Sequence, residues 1–154
     1  MGEVASRISG EMQAAMKSGE RMRLGTLRML ATSIRNREIE VGHDLTDDEF
    51  LEVVGREVKR RREAADAFAG AGRDELAEKE RAEQAVLEAY LPEQLSEEEV
   101  RGIVEEAVTA TGASGAKEAG KVIGYVMSRH KGRIDGGLVN RLARERLGAD
   151  GSAR

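Results

Sequence analysis

A single proline, Pro92, interrupts a chain of 154 residues. The residue before a proline is pushed out of the helical region. Leu91-Pro92 therefore ends one helix and divides the chain in two. Little else in the sequence favours a sheet. The aromatic residues are Phe50, Phe68, Tyr90 and Tyr125, with no tryptophan. The cores must be built from Leu, Val, Ile, Met and Ala, a palette that suits helices better than strands. The expected fold is all-α, in two helical bundles. A roughly four-helix N-terminal bundle covers 1–94, a three-helix C-terminal bundle covers 95–148, and a loose tail covers 149–154. Bundles this small are marginal alone, so docking between them is expected to matter.

The apolar period gives seven helices. The first runs over about 4–17, with Val4, Ile8, Met12, Ala15 and Met16 on one stripe, and Gly19 breaks it. The second covers about 20–41, with Leu24, Leu27, Leu30, Ala31 and Ile34 inward. Arg21, Arg28 and Arg35 recur every seven residues along the border of that apolar face. Thr46-Asp47-Asp48-Glu49 is a capping box that opens the third helix, to about Phe68. Its stripe is Phe50, Val54, Val58, Ala65 and Phe68. The fourth spans about 74–90. Ser96-Glu97-Glu98-Glu99 is a second capping box and opens the fifth. The sixth covers about 116–131. Asp135 is the expected N-cap of the seventh, and Gly148 its expected C′ glycine.

Several function classes are excluded at this level. There is no cysteine, so neither a disulfide framework nor a thiolate metal site can form. His43 and His130 are too few for a zinc site. No stretch approaches the ~20 apolar residues of a membrane span, and the N-terminus lacks a basic-then-apolar signal. The expected compartment is the cytoplasm, with no membrane partner, metal or cofactor.

No catalytic residue is identified. Nucleophilic catalysis needs a Ser, Cys or Thr beside an oriented base, and neither histidine supplies one. Gly120-Lys121-Val122-Ile123-Gly124 lacks the spacing of a phosphate loop. Glu80 and Glu83 lie on the apolar side of the fourth helix and could do acid–base work. Arg61, in the apolar stripe of the third helix, offers the simpler account: an internal ion pair of Arg61 with Glu80 or Glu83, since a charge facing a core is normally paired.

The net charge of −4 conceals a split. Residues 63–106 hold 14 acids and 4 bases, while residues 114–147 hold 8 bases and 3 acids. That asymmetry points to an anionic partner for the second half. On a helical wheel Lys117, Lys121, Gly124, Ser128 and Lys131 share one face of the sixth helix, opposite Val122, Ile123 and Val126. Tyr125 stands at the border, where it could stack on an exposed base. Arg129, Arg133, Asn140, Arg141 and Arg144 extend the basic surface around the Gly132 turn. A lysine-rich solvated face is the alternative reading.

The order of residues also resembles a known family. Tyr90-Leu91-Pro92-Glu93-Gln94-Leu95-Ser96 looks like its interdomain signature. Gly120-Lys121-Val122-Ile123-Gly124 and the segment from Lys131 to Asn140, Lys-Gly-Arg-Ile-Asp-Gly-Gly-Leu-Val-Asn, look like its C-terminal one. Arg28-Met29-Leu30 and Ala71-Gly72-Arg73 fit the N-terminal half. The chain thus resembles the GatB/YqeY-domain family, up to about Gly148. The resemblance implies a multihelical N-terminal bundle and a three-helix C-terminal one, the latter similar to the tail of the B subunit of the glutamine-dependent aspartyl/glutamyl-tRNA amidotransferase. That tail helps hold tRNA, while the chemistry lies in an amidase subunit and a cradle domain that have no counterpart here. A carbon–nitrogen ligase label with glutamine as amide donor would attach by family only. The resemblance makes tRNA or another structured RNA the expected partner, together with an amidotransferase or aminoacyl-tRNA synthetase complex. The expected tRNA-binding residues are Lys117, Lys121, Tyr125, Arg129, Lys131, Arg133, Asn140, Arg141 and Arg144. The rival readings are an adaptor whose basic face meets an acidic protein, and an enzyme using Glu80 and Glu83.

Overall fold

In the computed structural model, which describes residues 2–152 and side chains as far as Gly148, every regular element is helical. The order is α1 (Glu3–Ser18), α2 (Arg21–Val41), α3 (Asp47–Gly70), α4 (Asp74–Glu88), α5 (Glu97–Thr111), a 3-10 turn (Ala116–Glu118), α6 (Ala119–Arg129) and α7 (Gly136–Ser152). The described residues contain no strand, and none of their helices is long and apolar enough to cross a membrane. The chain divides into two compact units, Met1–Leu91 and Pro92–Arg154.

Local chemistry sets the helix ends. Gly19 and Gly112 close α1 and α5 in the left-handed region, with φ of 75° and 67°, which glycine adopts without a Cβ penalty. Both capping boxes form reciprocally. The Thr46 hydroxyl accepts from the Glu49 N–H while the Thr46 N–H donates to the Glu49 carboxylate, and Ser96 and Glu99 repeat the pattern. These are the two orphan donors that a capping box satisfies.

The first unit packs α1 on α2 and α3 on α4, with α2 also meeting α3 and α4. Its core is Ile8, Leu27, Leu30, Ile34, Phe50, Val54, Val58 and Leu87, with Tyr90 just beyond the end of α4. The Phe50 and Tyr90 rings meet edge to face at 6.0 Å. The second unit buries Val100, Val104, Ala119, Val122, Val126, Val139, Leu142 and Leu147 among α5, α6 and α7.

Three boundaries differ from the sequence reading. α4 ends at Glu88, because Tyr90 and Leu91 donate to the Leu87 and Glu88 carbonyls in tightened turns just before Pro92. The sixth helix does not run unbroken over 116–131. It begins with a 3-10 turn behind Gly115, whose φ of 127° is non-helical, and it ends at Arg129, where His130 leaves helical geometry. Lys117 and Lys131 therefore lie outside the α-helical register that placed them on one wheel face. α7 continues through Gly148 to Ser152, and Gly148 has no positive φ, so it is not a C′ glycine. The tail expected over 149–154 is thus helical as far as Ser152, and residues 153–154 lie outside the described residues.

Candidate functional site

The C-terminal unit carries the basic residues on α6 and the turn that follows. Ala119, Val122 and Val126 turn inward, which leaves Gly120, Lys121, Gly124 and Ser128 exposed on the opposite side. Lys121, Tyr125 and Arg129 follow one another at four-residue spacing and so stand in line along one strip of the helix. The Arg129 guanidinium lies over the Tyr125 ring, 3.5 Å from its centroid, and also donates to the Tyr125 carbonyl. The Tyr125 ring is half-buried against the core of the unit. Lys121 is exposed, but its ammonium is 3.6 Å from Glu118. Lys117 is exposed in the 3-10 turn and Lys131 in the α6–α7 connection.

That connection is held by the segment after Pro92. The Leu95 N–H donates to the Arg133 carbonyl at 2.9 Å, the Gln94 amide donates to the Gly132 carbonyl at 2.6 Å, and the Arg133 guanidinium donates to the Glu93 carbonyl at 3.2 Å. Two stretches almost forty residues apart in sequence thus form one clasp. Asp135 then caps α7, accepting from the Leu138 N–H.

The remaining candidates diverge. Arg144 donates to Asn140 one turn back, so that pair stays together on the exposed side of α7. Arg141 instead bonds Glu97 on α5 and Glu145 on its own helix, with Arg101 beside them. These bonds raise the Arg141 pKa, and the Arg141 and Arg101 hydrogen bonds hold the Glu97 carboxyl below its ordinary value. Arg141 is therefore engaged with acids on α7 and on α5. A helical wheel treats one helix alone and cannot register that neighbour.

In the N-terminal unit Arg61, Glu57 and Glu83 are all buried. One Arg61 amine lies 3.2 Å from Glu57, and its Nε lies 3.1 Å from Glu83 and 3.8 Å from Glu80. The Nε–Glu83 contact is close without hydrogen-bond alignment. Ser33 donates to Glu57 at 2.6 Å, and Arg60 reaches the same carboxylate from outside. The sequence reading paired Arg61 with Glu80 or Glu83. The structure brings all three together and adds Glu57, whose signal was its position one turn before Arg61 on the same helix. Here Glu83 faces an arginine in the interior, and the Ser33 hydroxyl at this cluster donates to the Glu57 carboxylate.

A second polar cluster escaped the sequence reading. The Tyr90 hydroxyl donates to Glu11 at 2.9 Å, Arg23 approaches it at 3.5 Å, and the Arg7 guanidinium lies 5.2 Å from the ring centroid. Burial first, then the bond to Glu11, push the Tyr90 hydroxyl up to about 12. Its partners come from two other helices, α1 and α2, so no local spacing announces it.

A family model of Yqey-like proteins matches residues 5–147. The chain belongs to the YqeY-like protein family. Among curated relatives, a protein of Pyrenophora tritici-repentis named "Altered inheritance of mitochondria protein 41, mitochondrial" is 30% identical over 149 residues, 95% of this chain and 82% of the relative. Proteins of the same name from Clavispora lusitaniae and Eremothecium gossypii are 33% and 31% identical over 90 and 91 residues. This YqeY-like chain spans about half the length of those two, 52% and 49%. The names overturn the cytoplasmic expectation. That expectation rested on the lack of a membrane span and of a signal pattern, and neither separates the cytosol from the inside of an organelle.

Proposed function

We propose that the C-terminal unit of this YqeY-like protein is a tRNA-holding accessory module without chemistry of its own. The observation that carries the reading is the line of Lys121, Tyr125 and Arg129, with the guanidinium lying over the ring. Bases stack on arginine planes as well as on aromatic rings. The pair therefore offers a sequence-tolerant platform, while Lys117, Lys121, Lys131 and Arg133 supply charge for the phosphate backbone. Glycines and a serine on the exposed side of α6 leave room for that backbone. The likeness of this half to the tRNA-holding tail of the amidotransferase B subunit points the same way. Arg141 is set aside from the phosphate contacts because its guanidinium bonds both Glu97 and Glu145. The ligase label with glutamine as amide donor describes the larger enzyme, and purified chain should neither hydrolyse glutamine nor transfer an amide.

The test is a tRNA titration at low and physiological salt, with wild type and with the double variant Lys121→Glu, Lys131→Glu. Each phosphate contact releases counterions, so affinity should fall steeply with salt. The double variant should bind more weakly across many sequences, with the salt slope reduced by about 2, one per lost contact. Tyr125→Ala should cost about 1–3 kcal/mol on RNA with unpaired bases and little on a plain duplex. Absence of binding at low salt, or equal binding by the variant, would leave the basic face to an acidic protein partner.

A further inference from the structure

The Arg28-Met29-Leu30 motif belongs to a surface that the proposed RNA site does not use. Leu30 is buried in the first unit, but Arg28 and Met29 are exposed. They lie on an α2 face made of Arg21, Met22, Gly25, Arg28, Met29, Thr32, Arg35, Asn36 and Ile39, all exposed. At ~100° per residue these positions fall within an arc of about 140°, opposite the buried Leu27, Leu30 and Ile34. Met22, Met29 and Ile39 are 46%, 48% and 70% exposed, large apolar side chains on a helix whose other face is already packed; the Met29 sulfur also accepts from the Arg61 guanidinium at 3.6 Å.

The face has a heptad order. Met22, Met29 and Asn36 occupy one column, and Gly25, Thr32 and Ile39 the next. That is the a/d seam of a coiled-coil helix, with large side chains in one column and mostly small ones in the other. Arg21, Arg28 and Arg35 fill the g column beside it, over about 21 Å at ~1.5 Å per residue. None of the three arginines makes an ion pair among the described residues. The flanking e column is different: Thr26 is buried, Ser33 bonds Glu57, and Glu40 pairs with Arg37.

We infer that this α2 face docks an acidic amphipathic helix of another protein, with apolar side chains against the Met22–Met29–Ile39 seam and carboxylates against Arg21, Arg28 and Arg35. Charge rules out a second copy of α2 as the fitting occupant. Antiparallel pairing would set the arginine column against itself, and parallel pairing would set it against Thr26, Ser33 and Glu40, which are buried, bonded or already paired. A nucleic-acid backbone would match the arginines but gives the apolar seam nothing to bury. An acidic helix satisfies both columns, and charges flanking a seam are what choose partner and orientation.

The probe is a synthetic helical peptide three heptads long, with Leu and Ala on its seam and Glu in the flanking columns. Its control is the same peptide with Lys for every Glu. Fluorescence anisotropy with the full chain should show binding of the acidic peptide and not of the basic one. The triple variant Arg21→Glu, Arg28→Glu, Arg35→Glu should lose acidic-peptide affinity by at least about tenfold and gain the basic peptide, with an unchanged circular dichroism spectrum because all three side chains are exposed. The swap in preference is the decisive readout. Equal binding of both peptides, no binding of either, or no swap in the triple variant overturns the inference. So does loss of tRNA binding in the triple variant where Lys121→Glu leaves it intact, which would make the face a nucleic-acid surface.

Discussion

The N-terminal unit closes its core around an ionised arginine, whereas the C-terminal unit buries aliphatic side chains and leaves its ions outside. The described buried polar residues, Thr26, Glu57, Arg61 and Glu83, all belong to the first unit. In the second, Arg141 with Glu97 and Glu145 and Arg101 with Glu97 stay at the surface around α5 and α7. The two arrangements hold structure in different ways. A buried ion cluster adds little net stability, because desolvation offsets most of the attraction, yet removing one member strands the others. An aliphatic core loses stability in proportion to the volume removed. Surface ion pairs add least and weaken with salt.

The largest test compares the two cores directly. Arg61→Ala leaves Glu83 buried without that cation and Glu57 with only the exposed Arg60, and should cost about 3–5 kcal/mol. Leu142→Ala in the second unit should cost about 2–5 kcal/mol through a cavity. The chemistry separates them: Arg61→Met, with Glu57 and Glu83 changed to Gln and Leu, should recover most of the loss, because the stranded charges go with the arginine. Urea unfolding followed by hydrogen exchange in each unit checks this. A melt that Arg61→Ala leaves unchanged would remove the contrast between the cores.

The next test sets the one strongly shifted hydroxyl against alkaline pH. Tyr90 is neutral in the fold up to about 12, against an ordinary value of 10.0. A group whose pKa rises on folding contributes stability that is complete below the unfolded value and disappears as pH rises through the folded one. The first unit should therefore lose stability between about pH 10 and pH 12. Tyr90→Phe should remove that slope, and at neutral pH should cost about 1.5–3 kcal/mol for a hydrogen bond to a carboxylate. Alkaline titration of both proteins, monitored in the first unit, decides it. The same slope in Tyr90→Phe would assign the alkaline loss to another group.

What could be read in the sequence follows the range of each interaction. Thr46 with Glu49 and Ser96 with Glu99 are three residues apart, and both boxes are present. The wheel faces of α2 and α3 are also local, and they point inward where the apolar stripes say. Arg61 was legible because its charge interrupts such a stripe, while its full set of partners required knowing where α3 meets α4 and α2. The clasp between 93–95 and 132–133 uses backbone carbonyls, which carry no residue signature. Arg141 shows the same limit from the other side: its wheel position is solvent-facing and its pairing with Glu145 is local, but its second acid, Glu97, comes with the arrival of α5. Tyr90 sits just before the proline as if it were merely the end of a helix, and its partners on α1 and α2 are more than sixty residues away.

The smallest test concerns the device both units share. Each has one reciprocal capping box at the start of a helix, on α3 in the first and α5 in the second. Thr46→Ala and Ser96→Ala should each cost about 1 kcal/mol, the usual loss for an N-cap. The paired carboxylates add a pH dependence of known sign. The Thr46 backbone bond holds Glu49 below its ordinary 4.5, and the Ser96 backbone bond does the same for Glu99. A pKa lowered on folding gives stability that is present above the unfolded value and lost as pH falls through the folded one. Acid should therefore fray the first turns of α3 and α5 below about pH 4.5. Glu49→Gln and Glu99→Gln keep an acceptor for the backbone N–H without the titration, so the same turns should become less sensitive to acid. Hydrogen exchange of the amides at 47–50 and 97–100 across pH 3 to 6 measures both at once. Equal loss in the two turns makes the cap a local device, independent of the core behind it. A larger loss at α3 would show instead that the buried ions of the first unit, two of which α3 carries at Glu57 and Arg61, depend on how firmly that helix begins.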